Sequence, residues 1–238
     1  MKICVMGSSH LGSLKLGWDE VRDQFPDLTL DFFGSTGGTM RHLRVRGSRL
    51  VPDNADLADN LAFTSGGMRD IDVSAYQAVI LYGLVLRMPR LRRGISRAVL
   101  QQTIRDSVDK SVTAKLAARV RKVTQGRIWV GPSPMPVALG DQFEAGVFHD
   151  YDTLLTEVGR ALGGVDVTML AQPPATLGPD LRTRAQFGVG SVRLLSEPGD
   201  RVRAHPDEEV NHMNAQFGRL WLLQNLPVVL GGDGVAHG

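Results

Sequence analysis

Two short segments near opposite ends of the chain carry residue types that together perform acyl transfer. The first is Gly7-Ser8-Ser9-His10, a glycine turn that follows the apolar run Lys2-Ile3-Cys4-Val5-Met6. A serine in such a turn sits at a helix N-terminus, where unsatisfied backbone N–H groups and the helix dipole favour negative charge. An attacking oxygen and a developing oxyanion both gain from that position. The second is Glu209-Val210-Asn211-His212. A carboxylate three residues before a histidine can accept one imidazole N–H, leaving the other ring nitrogen to take a proton from a serine. Each segment has a plainer reading when taken alone. Serine is a favoured helix N-cap, and acidic residues suit a helix start whatever their chemistry. His205 is followed directly by Pro206 and is set aside as a bystander.

The elements that would position these residues follow from periodicity. Residues 2–6 read as a strand, and Leu11, Leu14, Trp18 and Val21 recur at helical spacing up to Phe25. Pro26-Asp27 precedes a second strand, Leu28 to Phe33, which ends in Gly34-Ser35-Thr36-Gly37-Gly38. Residues 39–72 break the alternation and read as an inserted flap, with Gly47-Ser48 suited to a type II′ hairpin turn. A buried strand from Ala78 to Tyr82 ends at Gly83, and a long, interrupted helix spans Ile95 to Val123. A strand at Ile128 to Val130 leads to the loop Gly131–Pro136, whose prolines argue against a place in the sheet. Further elements are a helix at Tyr151 to Leu162, a strand at Val165 to Leu170, and a last helix from about His212 to Asn225. The order predicts one domain over residues 1–238, a three-layer α/β/α sandwich with a mainly parallel, flavodoxin-like sheet. Ligands of such sheets bind beyond the carboxyl ends of the strands, where Ser9, Gly37, Gly83 and Gly131 are expected to gather.

On these residues the chain resembles the SGNH/GDSL hydrolases. Gly7-Ser8-Ser9-His10 is similar to the Gly-Asp-Ser-His block that opens that family, and Glu209 to His212 is similar to its closing Asp-x-x-His block. The resemblance implies Ser9 as nucleophile, His212 as general base and Glu209 as the carboxylate that orients the base. It also implies an oxyanion hole built from the backbone N–H of Ser9 and of Gly37 or Gly38. The sequence departs from the family at Ser8, where an aspartate is usual, and at Glu209, which is one methylene longer. It departs further at Gly83-Leu84-Val85-Leu86, where a Gly-x-Asn-Asp block would supply an asparagine donor. Asn54, Asn60 and Tyr82 are candidate replacements.

Charge is unevenly placed although the formal net charge is only +2. Arg41, Arg44, Arg46 and Arg49 lie on the flap, and Arg87, Arg90, Arg92, Arg93 and Arg97 follow the third strand. With His10, Arg44 and Arg87 are the candidate substrate-binding residues, suited to an anionic substrate; the alternative is a solvated basic surface. These stretches have no interleaved aromatics, so a nucleic-acid partner is not expected. His10, His42, His149 and His237 lack the spacing of a shared metal site, and neither a metal nor another cofactor is expected. A composition 42% hydrophobic and 22% charged is that of an ordinary globular protein. The single cysteine, Cys4, rules out an intrachain disulfide. No stretch approaches the ~18 apolar residues of a membrane span, and no signal-peptide pattern is seen, so the expectation is a cytoplasmic location. The expected function is a serine esterase or acyltransferase acting on a small acyl ester, such as an O-acetyl group on a saccharide. The alternatives are an inactive domain of the same type that binds a saccharide or protein partner, and a flavodoxin-like nucleotide or anion binder.

Overall fold

Strands buried on both faces need apolar side chains at every position rather than at alternate ones, and the first strand meets that demand: Ile3, Cys4, Val5 and Met6 are all buried. The structure is a computed structural model and describes residues 1–139, 142–193, 204–206 and 209–231. His237 and the acidic residues Asp207 and Glu208 lie outside the described residues. The parallel strands are β1 (Lys2–Gly7), β2 (Thr29–Gly34), β6 (Ala78–Arg87), β7 (Arg127–Ser133) and β8 (Thr168–Met169). They form a five-stranded sheet in the order β2-β1-β6-β7-β8. Counted along the parallel strands this is the 2-1-3-4-5 order of flavodoxin-like folds, whose ligand crevice opens where β1 meets the third strand. Gly7 pairs with Gly34 on one side and Tyr82 on the other, and Tyr82 pairs with Gly131, so the turns beyond them share one edge.

Side chains of period two divide the core into two layers. Cys4, Met6, Val79 and Leu81 face one side, where α3 (Arg97–Lys110), α4 (Val112–Arg121) and α5 (Tyr151–Ala161) pack. Ile3, Val5, Ile80 and Tyr82 face the other, covered by α1 (Leu11–Val21) and α6 (Ala215–Gly231). The fold is therefore a three-layer α/β/α sandwich with a mainly parallel sheet. Residues 39–72 carry β3 (Leu43–Arg46), β4 (Arg49–Pro52), α2 (Ala55–Ser65) and β5 (Ile71–Asp72), and the strands make a separate antiparallel sheet in the order β3-β4-β5. Gly47, at the hairpin tip, has a φ of 59°, as a type II′ turn requires of its first central residue.

The interruption expected in the long helix falls at Ser111, which leaves the helical region and caps α4 by accepting from Ala114 N–H. Other boundaries differ from expectation: the strand expected at Val165 to Leu170 is only Thr168–Met169, the two residues that pair with β7. β7 runs through Pro132, because the missing N–H falls where pairing with β6 is already shifted and beyond the two residues that pair with β8. β6 does not end at Gly83 but continues to Arg87 across a register shift. The last helix starts at Ala215 rather than His212, since Asn214 Oδ1 accepts from Phe217 N–H and makes the cap. Among the described residues no helix is long and apolar enough to cross a membrane.

One helix crossing decides how the two ends of the chain meet. α1 and α6 lie side by side through Gly17 and Gly218, and no side chain separates their backbones. A Cβ on Gly218 would stand 1.8 Å from the Ser13 carbonyl oxygen, and one on Gly17 would stand 2.3 Å from the Arg219 nitrogen. Ser9 lies in the turn just before the first of these helices, and His212 in the segment just before the second.

Candidate active site

Ser8, Ser9 and His10 form the turn between β1 and α1, closed by Leu11 N–H donating to Ser8 O and Gly12 N–H donating to Ser9 O. His10 occupies the N-cap position, and no side chain caps this helix end. The capping alternative for the serines is thus absent, leaving their hydroxyls for other partners. Ser8 Oγ donates to the carbonyl of Gly83, tying the turn to the third parallel strand. Ser9 Oγ instead lies 2.9 Å from His212 Nε2, a contact spanning 203 positions of sequence.

His212 is fixed from both sides. Val137 N–H donates to Val210 O, which anchors the closing segment to the loop after β7. Two residues on, Asn214 donates its amide to Gln186 O and Val189 O while capping α6. Glu209 Oε1 accepts from the backbone N–H of Asn211 at 2.7 Å and lies 3.6 Å from His212 Nδ1, within ion-pair reach but longer than a hydrogen bond. Catalytic hydrogen bonds are often long without substrate and tighten in the complex. Burial lowers the His212 pKa below the ordinary histidine value, with Glu209 pulling the other way and Arg193 adding to the drop. Burial raises the Glu209 pKa, but the hydrogen bonds from Asn211 and the neighbouring imidazoles outweigh it, and the carboxylate stays ionised below its usual range. The arrangement can move a proton from a serine hydroxyl to a neutral imidazole.

His205 is not the bystander the sequence suggested. Its ring is stacked on His212 with centroids 4.0 Å apart and planes 6° from parallel. His205 N–H donates to Ser191 O, and Ala204 bridges Val192, which brings that segment over His212. A Pro-broken segment gives no periodic signal, so only the His-x₃-Glu-x₂-His spacing hinted at it. Ligand atoms of His205, Glu209 and His212 lie within 4.8 Å of one another. Stacked rings cannot both aim an in-plane lone pair at one ion about 2 Å away, so in this arrangement the three do not converge on a single ion.

The other candidates fall around this centre to differing degrees. Gly37, with a φ of 58° and open space about it, lies on the loop after β2, the strand beside β1. Gly38 O accepts from Arg41 N–H and Arg41 Nε, and Ser35 Oγ accepts from Asn60 and Thr39, which together hold this loop. Arg44 is paired with Asp53 at 2.9 Å on the hairpin, and no contact among the described residues joins it to Ser9 or His212. Arg49 is spent on Asp70 and Asp72, and Arg90 and Arg92 on Glu144, with Arg90 also reaching the fully buried Asp180. Four of the nine arginines singled out in the sequence are thus ion-paired within the fold. Arg87 is not among them: it is exposed, has no ion-pair partner among the described residues, and helps to lower the His10 pKa.

No family model matches this sequence, and no curated protein matches it. Among solved structures it is similar to the periplasmic domain of a lipopolysaccharide acetyltransferase from Salmonella ser. Paratyphi A, with a TM-score of 0.52 and 9% identity over 96% of this chain and 83% of that one. A carbohydrate acetylesterase family member from Sinorhizobium meliloti aligns with a TM-score of 0.45 and 12% identity, over 96% of this chain and 97% of that one. At such identities the first likeness speaks to the fold alone, and it agrees with the α/β/α sandwich and strand order above.

Proposed function

We propose that this chain is a serine-dependent esterase or acyltransferase, with Ser9, His212 and Glu209 as its triad. The observation that carries the reading is the 2.9 Å approach of Ser9 Oγ to His212 Nε2, made between segments 203 positions apart in sequence. Ser9 Oγ attacks the ester carbonyl while its proton passes to His212 Nε2, and Glu209 stabilises the imidazolium through Nδ1–H. The carbonyl oxygen becomes an oxyanion, received by the backbone N–H of Ser9 and of Gly37 or Gly38. Collapse expels the alcohol, which takes the proton from His212, and leaves an acyl-enzyme. Water or an acceptor alcohol then repeats the sequence in reverse roles. The substrate class is a small acyl ester, with O-acetyl groups on saccharides the leading members; the Salmonella protein of similar fold is named as a lipopolysaccharide acetyltransferase.

A fluorophosphonate probe is expected to label the protein at Ser9 and to leave Ser9→Ala unlabelled; persistent labelling of that variant removes Ser9 from its role. The pH profile supplies a second check. A base must be neutral to accept a proton, and burial lowers the His212 pKa. The rate therefore rises with pH through a midpoint below the ordinary histidine value of about 6.5 and is flat by neutral pH. A midpoint above 7 contradicts the assignment of His212.

A further inference from the structure

The proposed oxyanion hole lacks a side-chain donor. Val85 stands where the resemblance expects asparagine; it is 37% exposed and has a φ of 60°, a costly conformation for a β-branched residue. It has no hydrogen to donate. Of the three polar residues considered as replacements, two are engaged elsewhere and the third is turned into the core. Asn54 caps α2, Asn60 donates to Ser35 Oγ, and Tyr82 is buried against Trp221 in the layer beneath α6.

His10 fills the gap. It follows Ser9 directly, and its ring lies against the backbone of Gly83, where a Cβ would stand 2.7 Å from His10 Cβ and 2.8 Å from Cδ2. Its centroid is 5.3 Å from that of His212. The imidazole therefore lies between the nucleophile turn and the strand from which the missing amide would have come. The position of its proton follows from burial. Nδ1 is enclosed with no hydrogen-bond partner, a condition not shared by Nε2. An enclosed N–H without an acceptor is rarer and costlier than an enclosed, unpaired acceptor. The proton accordingly belongs on Nε2, the nitrogen next to the Cδ2 that faces Gly83.

We propose that His10, through Nε2–H, donates a hydrogen bond to the oxyanion of the acyl-transfer transition state in place of the absent asparagine amide. This rests on the triad reading above. His10 gives up no proton in the cycle: the hydrogen bond strengthens as charge builds on the carbonyl oxygen and relaxes when the carbonyl re-forms. A neutral imidazole is a competent donor of this kind. Burial holds the His10 pKa at about 3, with His212, Arg87 and His205 pushing the same way and Glu209 opposing them.

Two measurements test the donor. By ¹⁵N NMR of the intact protein, His10 is expected to remain the neutral Nε2–H tautomer from about pH 5 to 9. Protonation within that window, or a proton on Nδ1, overturns the proposal whatever the protein's activity. With p-nitrophenyl acetate, His10→Phe keeps a ring against Gly83 but removes the donor, and is expected to lower kcat about 10²–10³-fold with little change in KM. His10→Gln, whose amide reaches about as far as Nε2, is expected to recover at least about tenfold of that loss. Near-wild-type kcat in His10→Phe overturns the proposal while fluorophosphonate labelling of Ser9 leaves the triad standing. Absence of Ser9 labelling fails the triad itself and takes this inference with it, so the two failures are told apart.

Discussion

Ser9→Ala and His212→Ala are each expected to lower kcat toward acyl esters by about 10⁶-fold, with the double variant no slower than either. The non-additivity follows from geometry. The hydroxyl is a poor nucleophile until the imidazole 2.9 Å away removes its proton, so either deletion removes the whole step. What survives is binding and the oxyanion donors, worth roughly 10³–10⁴ over water. Glu209→Gln should cost less than the ~10⁴ seen where a triad carboxylate bonds its histidine closely, because here Oε1 and Nδ1 are 3.6 Å apart. Steady-state kinetics on purified variants, with melting curves to confirm folding, measures all four. A loss of less than about 10²-fold in either alanine variant would refute the triad.

The second large effect is expected far from any reacting atom. Gly218→Ala puts a Cβ 1.8 Å from the Ser13 carbonyl oxygen, and Gly17→Ala puts one 2.3 Å from the Arg219 nitrogen. Both obstacles are backbone and cannot swing aside like the end of a side chain. Overpacking costs about 1–3 kcal/mol, occasionally more, and a clash between two helix backbones belongs at the upper end. Relief comes only if α1 and α6 move apart. Since Ser9 and His212 precede those helices, separation lengthens the contact between them, and a shift of about 1 Å can cost about 10²-fold in rate. Gly218→Ala is thus expected to lower both Tm and kcat, with the kcat loss persisting well below the melting transition. Gly231→Ala, at the far end of α6 with nothing within 4 Å, serves as the control and should change neither. An unchanged melting curve for Gly218→Ala would show that the crossing has slack the structure does not contain.

Much of the layout was written in local pattern. The apolar run of residues 2–6 and its closing glycine, the helical spacing from Leu11 to Val21, and the Gly47 hairpin tip all depend on near neighbours, and all are found in the structure. Boundaries set by partners were less legible. The continuation of β6 past Gly83 depends on a register shift against β7, and the start of α6 depends on an Asn214 cap held by the segment around Phe187. The partners of the arginine clusters were illegible for the same reason: a run of like charges is visible in sequence, but the carboxylates of Asp53, Asp70, Asp72, Glu144 and Asp180 that pair with Arg44, Arg49, Arg90 and Arg92 are chosen by the fold.

By itself the sequence determined the strand and helix order, and therefore the parallel sandwich, and it marked Ser9, Glu209 and His212 by their residue types and spacing. Only the tertiary structure decided that the serine and the imidazole meet, that His205 stacks on His212, and that the His10 ring lies against Gly83. Periodicity and capping act over a few residues, whereas these contacts depend on the sheet edge and on two glycines that let α1 and α6 touch. Their information resides in the shape of a crossing between residues about two hundred positions apart, which no window of neighbouring residues contains.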